Sequence, residues 1–252
     1  MKFYCKIKIS FLKFSYLDFK HLSFGQMPVS KDHYYRLASN LPNERISAAS
    51  ALISELSSSN SIDDYSYALK RLISGLASNN DSARLGFSMC LTELLSLLSN
   101  NEIYPYNASQ FLQSLNSSLD SSIKNKQKGK NLRCYLFGKL FGLQSLINSN
   151  LLGNDDIDLH ILIINQLFEI ALAKSWIREI AIVTIIKFIQ SYNLISNDSI
   201  IPLIISKLAS NNLLISMDSV LLYINIPSNL RKLMTEKANI DSSIIRWKND
   251  DP

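Results

Sequence analysis

Five cations crowd into ten residues of this 252-residue chain. They are Lys124, Lys126, Lys128, Lys130 and Arg133 in 124-KNKQKGKNLR, with no acid among them. Such a run can neutralise a phosphate backbone or an acidic partner segment. Gly129 and the polar composition predict a loop leading into a helix at Arg133. A solvated loop between helices is the competing reading. No aromatic residue interleaves the lysines, which argues against base stacking on single strands.

Elsewhere the residue types that do chemistry are scattered. His21, His33 and His160 have no Asp, Glu, Cys or His neighbour at metal-ligand spacing. Cys5, Cys90 and Cys134 are odd in number and form no CxxC pair, so a disulfide framework and a zinc site are both disfavoured. The acid pairs 63-DD, 155-DDID and 250-DD read as loop or cap residues. No phosphate-binding glycine loop and no nucleophile elbow occurs. Gly138 and Gly142 predict close helix packing instead. No catalytic residue, metal ligand, cofactor or small-molecule substrate is therefore expected.

The composition suits helices. Gly numbers 7 and Pro 6, too few for the turns of a β-sandwich or barrel, while Ser (38) and Asn (23) supply most of the polarity. The net charge is +5, of which the first 27 residues hold +4: five lysines against Asp18. The basic character is thus a local property of the N-terminal segment. Those lysines also break any signal-peptide core. Met27 offers an alternative start, so residues 1–27 are expected to be poorly ordered or spurious. No uncharged apolar run reaches membrane-spanning length, and no membrane partner is expected.

From residue 28 to 252 one pattern recurs. Arg45, Arg84, Arg133 and Arg178 each begin an apolar stripe at +3, +7 and +11, and are separated by 39, 49 and 45 residues. A stripe with that period is one face of an α-helix. Partner helices fall between, at 62–77, 108–119 and 157–173, and Asp81 is an N-cap candidate. Repeats near 40–47 residues built from helix pairs predict an all-α, armadillo/HEAT-like α-solenoid. Arg45, Arg84 and Arg178 are expected to tie neighbouring repeats through carboxylates and carbonyls. The last stretch, 240-IDSSIIRWKNDDP, has no polar capping pair, which fits the N-terminal part of a longer architecture.

Some residues go beyond a generic repeat. The stretch 71-RLISGLASNNDSARLGFSMCLTE, with 34-YYRLASNLPNERISAASALISEL, 135-YLFGKLFGLQSLINSNLL and 174-KSWIREIAIVTII, resembles the N-terminal region of the DNA polymerase V/phi and Myb-binding protein 1A family. The resemblance covers about residues 32–190. It implies a nuclear, nucleolar scaffold in ribosomal RNA synthesis and ribosome biogenesis. The implied partners are nucleolar proteins and ribosomal DNA or pre-ribosomal RNA. A DNA-binding transcription regulator of RNA polymerase I/II genes is the alternative, and a DNA-directed DNA polymerase the remote one.

Overall fold

The computed structural model describes residues 29–59, 61–122, 129–153, 156–194, 199–210, 221, 222, 224 and 225. The N-terminal segment 1–27 and the stretch 240–252 lie outside the described residues, as do Lys124, Lys126 and Lys128. Among the described residues the protein is all-helical. The helices are α1 (Asp32–Arg36), α2 (Pro42–Ser58), α3 (Ile62–Leu76), α4 (Asp81–Leu98), α5 (Ala108–Ser122), α6 (Gly129–Asn148), α7 (Ile157–Ala173), α8 (Ser175–Ser191) and α9 (Ile200–Ser210).

Short polar side chains set the helix starts. Ser61 accepts from the Asp64 N–H and Asp156 from the Leu159 N–H. Asn107 and Gln110 cap α5 reciprocally, each side chain accepting from the other's main-chain N–H. Pro42 stands at the head of α2, where its missing N–H costs nothing. At α4 the cap is Asn80, not Asp81. Asn80 has the extended backbone a cap requires and accepts from the Ser82 N–H, whereas Asp81 is already the first helical residue.

The stripes are the core. Ala48, Leu52 and Leu56 on α2, Phe87, Leu91 and Leu95 on α4, and Ala181, Ile185 and Ile189 on α8 are all buried. Gln144 breaks the stripe of α6, and its amide donates to Thr184 Oγ1 on α8 at 2.8 Å. Ser145 Oγ lies 3.0 Å from the Ser88 carbonyl of α4. Consecutive even-numbered helices thus contact one another in series, α2 with α4, α4 with α6 and α6 with α8. The odd-numbered helices pair with them, α3 with α4, α5 with α6 and α7 with α8. One hydrophobic cluster runs from Tyr34 to Leu222.

Glycine sets how closely the pairs approach. A Cβ on Gly142 would meet Leu115 Cδ1 at 2.5 Å, and one on Gly75 the Phe87 ring at 2.3 Å.

His160 is packed inside this core. Its Nε2 donates to the Gly153 carbonyl at 3.0 Å, and its ring meets Phe188 and Tyr192, both at 5.4 Å. Burial pushes its pKa down, against the weaker opposing pull of the Gly153 carbonyl and Asp156. The folded chain therefore protonates later than the unfolded one as pH falls. Stability should drop as pH falls below the ordinary histidine value of about 6.5. Urea midpoints from pH 8 to 5 check this. A His160→Phe variant with an equally steep acid loss would assign the effect to other groups.

Candidate nucleic-acid interface

Lys130 stands on the first turn of α6 rather than in the expected loop, and Arg133 lies on the same helix, as its apolar stripe predicts. The helix begins at Gly129, whose φ of 61° is the left-handed region that glycine tolerates without strain. Both cations are exposed. Neither has an acid partner among the described residues.

The other three repeated arginines use their guanidinium groups locally. Arg45 donates to the Ser39 carbonyl at 2.8 Å, Arg84 to the Ser78 carbonyl at 2.6 Å and Arg178 to the Ala171 carbonyl at 3.2 Å. These carbonyls lie at or just beyond the C-terminal ends of α1, α3 and α7, where helices leave acceptors unpaired. Each bond ties the head of one helix to the tail of the helix before it. It runs within a pair rather than between pairs. Arg84 is buried, forms a close ion pair with Asp81 and lies 4.5 Å from the centroid of Phe137 on the next even-numbered helix.

Arg133 occupies the same register but different surroundings. Among the described residues no carbonyl or carboxylate accepts from it. Its guanidinium carbon lies 5.6 Å from the Phe137 ring and 5.8 Å from the Trp176 ring. Phe137 and Trp176 lie 5.3 Å apart, and 45% of Trp176 is exposed. The fold thus brings an aromatic surface to the basic stretch from α8, 43 residues further on. The run of lysines alone carries no trace of it, because the contact is lateral, between helices. The only advance signal is the shared register of the Arg133 and Arg178 helices.

Other candidate sites are poorer. Cys90 and Cys134 are buried free thiols, and burial pushes the Cys90 thiol well above its ordinary range. His33 pairs with Glu55 at 2.8 Å, and no third ligand completes a metal site among the described residues. Among these residues no helix is long and apolar enough to cross a membrane.

Comparison with known proteins agrees with the repeat-level resemblance. Residues 67–252 match the family model described as DNA polymerase phi. The chain is 41% identical to the rDNA transcriptional regulator POL5 of Saccharomyces cerevisiae, covering 60% of this chain and 17% of the relative. It is 30% identical to the rDNA transcriptional regulator pol5 of Schizosaccharomyces pombe, covering 69% of this chain and 17% of that one. A Myb-binding protein 1A-like protein of Danio rerio is 33% identical over 49% of this chain and 9% of its own length. The chain thus spans less than a fifth of the curated relatives it matches. No solved structure matches it. A family match over well more than half of the residues, with relatives of both names, leads to one conclusion: the chain belongs to the DNA polymerase phi and Myb-binding protein 1A family.

Proposed function

We propose that this chain is a HEAT-like helical-repeat module of a nuclear, nucleolar protein. It acts in ribosomal DNA transcription and ribosome biogenesis by holding proteins and ribosomal DNA or RNA together. The observation that carries this reading is the 41% identity to a protein named as a regulator of rDNA transcription. The serial contacts of α2, α4, α6 and α8 support the solenoid reading, since stacked pairs bury a continuous core and leave a long surface for partners. The relatives' names are those of regulators, not polymerases, which supports a non-enzymatic role without metal, cofactor or small-molecule substrate. Lys124, Lys126, Lys128, Lys130 and Arg133 make the nucleic-acid contact.

Fluorescence anisotropy across a salt series tests the reading. Four lysines neutralising four phosphates of duplex DNA make affinity fall roughly a hundredfold between 50 and 200 mM salt. Changing Lys124, Lys126, Lys128 and Lys130 together to alanine should abolish most of that slope on duplex DNA and structured RNA. An unchanged slope would remove the basic stretch from the interface. The words "transcriptional regulator" also favour a second reading, direct duplex binding at genes of RNA polymerase I or II. Tighter binding to duplex DNA than to RNA would select it. Magnesium-dependent nucleotide incorporation by the purified chain would overturn the non-enzymatic assignment.

A further inference from the structure

The surroundings of Arg133 narrow the nucleic-acid reading to one kind of ligand. Arg45, Arg84 and Arg178 each give an N–H to a main-chain carbonyl, while Arg133 gives none to any described residue. Its guanidinium keeps donors for a ligand. Beside it, Trp176 leaves 45% of its surface to solvent although an indole gains much by burial. Lys130, one turn before Arg133 on the same helix, is also exposed. Lys174, two residues before Trp176, adds another exposed cation. The result is a half-exposed indole with the Arg133 guanidinium over its ring, Phe137 against it and further exposed cations on the two helices that carry them.

We propose that Trp176, Arg133 and Lys130 form a binding site for an unpaired RNA strand, one base stacking on the indole and the adjoining phosphates meeting the guanidinium and the ammonium. The choice of an unpaired strand follows from the indole. In a duplex the base faces are covered by their neighbours and only edges and phosphates are offered, so an exposed ring finds nothing to stack on. An acidic peptide would satisfy the cations and leave the ring without a partner. Unpaired bases use both, because every base has a flat face and the backbone beside it is anionic. This inference rests on the nucleic-acid contact proposed above and specifies its ligand.

The test uses the full chain carrying Trp247→Phe, so that Trp176 is the sole tryptophan. The probes are a fluorescein-labelled twelve-nucleotide oligouridylate and a twelve-base-pair DNA duplex. Oligouridylate should quench the Trp176 emission. In the otherwise unaltered chain, Trp176→Ala should weaken oligouridylate binding roughly 5- to 100-fold, the range for loss of one stacked base, and leave duplex binding within twofold. Trp176→Phe should recover most of the loss. The salt slope should stay unchanged in Trp176→Ala and fall by about 0.7 in Arg133→Gln, one phosphate contact on a single strand. Unquenched emission, or a Trp176→Ala variant that binds oligouridylate as the parent does while the quadruple lysine variant does not, would overturn stacking and leave the basic contact standing. Equal losses on duplex and single strand would overturn the preference for unpaired bases. A parent chain that binds neither probe would remove both readings together.

Discussion

Gly86→Ala should lower the melting temperature by about 4–8 °C, the equivalent of roughly 2 kcal/mol in a domain of this size. In an ordinary helix interior the same change would stabilise by about 1 kcal/mol, because alanine loses less backbone entropy than glycine. Here a Cβ would stand 2.0 Å from the Leu37 carbonyl oxygen and 3.0 Å from Arg45 Cδ. The first obstacle is backbone and cannot rotate away. Leu37 is itself fixed, since it is fully buried and its N–H donates to the His33 carbonyl at 2.9 Å. Either α4 moves off α1 or α1 lets go. Gly86→Val should cost more, roughly 3–4 kcal/mol, because a branched side chain adds two methyl groups to the same gap. Gly153→Ala is the control, because a Cβ there meets nothing within 4 Å. Thermal melts and urea titrations check the order. If α1 detaches instead, limited trypsin digestion should cut at Arg36 in the variant before the rest of the chain unfolds. A Gly86→Ala variant more stable than the parent would mean that α4 does not lie against Leu37.

This contact marks the boundary of what one sequence makes legible. The helices at Ala108 and Ile157 and the apolar stripes follow from period and capping, which are local, so their positions can be read from neighbouring residues. Asp81 and Asn80 are both good cap types. Only the backbone at Asn80 separates them, and that depends on how the preceding turn is drawn. Gly129 reads as a breaker because glycine usually is one, yet α6 begins at this left-handed residue. Gly86 is visible as a glycine in a helix. Its partner, Leu37, lies 49 residues earlier and has no side-chain pattern that points to it. Trp176 and Arg133 fail for the same reason. Register between stacked helices fixes their meeting, and a single chain does not write that register into either segment. The basic stretch was legible as charge, and the aromatic that completes the proposed site was not.

Arg84→Ala should cost about 3 kcal/mol, and Asp81→Ala at most about 1 kcal/mol, although the two residues form one ion pair. The asymmetry comes from what else each residue holds. Asp81 is 79% exposed, so water screens the pair, and without Asp81 the buried Arg84 guanidinium, only 5% exposed, still keeps its carbonyl and its ring. Arg84 does two other things that Asp81 does not. It donates to the Ser78 carbonyl at 2.6 Å, holding the turn between α3 and α4, and it lies 4.5 Å from the Phe137 centroid on α6. A desolvated cation over a ring contributes about 2 kcal/mol, and a charged donor to a carbonyl about 1.5–3 kcal/mol, less whatever the site recovers by relaxing. Arg84→Lys keeps the charge but not the fork that reaches carbonyl and ring together, so it should recover about half. A double-mutant cycle with Phe137→Ala should give a coupling of about 1–2 kcal/mol. Equal, small losses for Arg84→Ala and Asp81→Ala would reduce Arg84 to an ordinary surface pair. Phe137 also touches Arg133 and Trp176, so Arg84 supports the proposed strand-binding surface from below. A folded Arg84→Ala chain, assayed well under its melting temperature, should therefore bind oligouridylate several-fold more weakly than the parent with an unchanged salt slope. That combination separates a positioning residue from a phosphate contact, since loss of a phosphate contact would lower the slope as well.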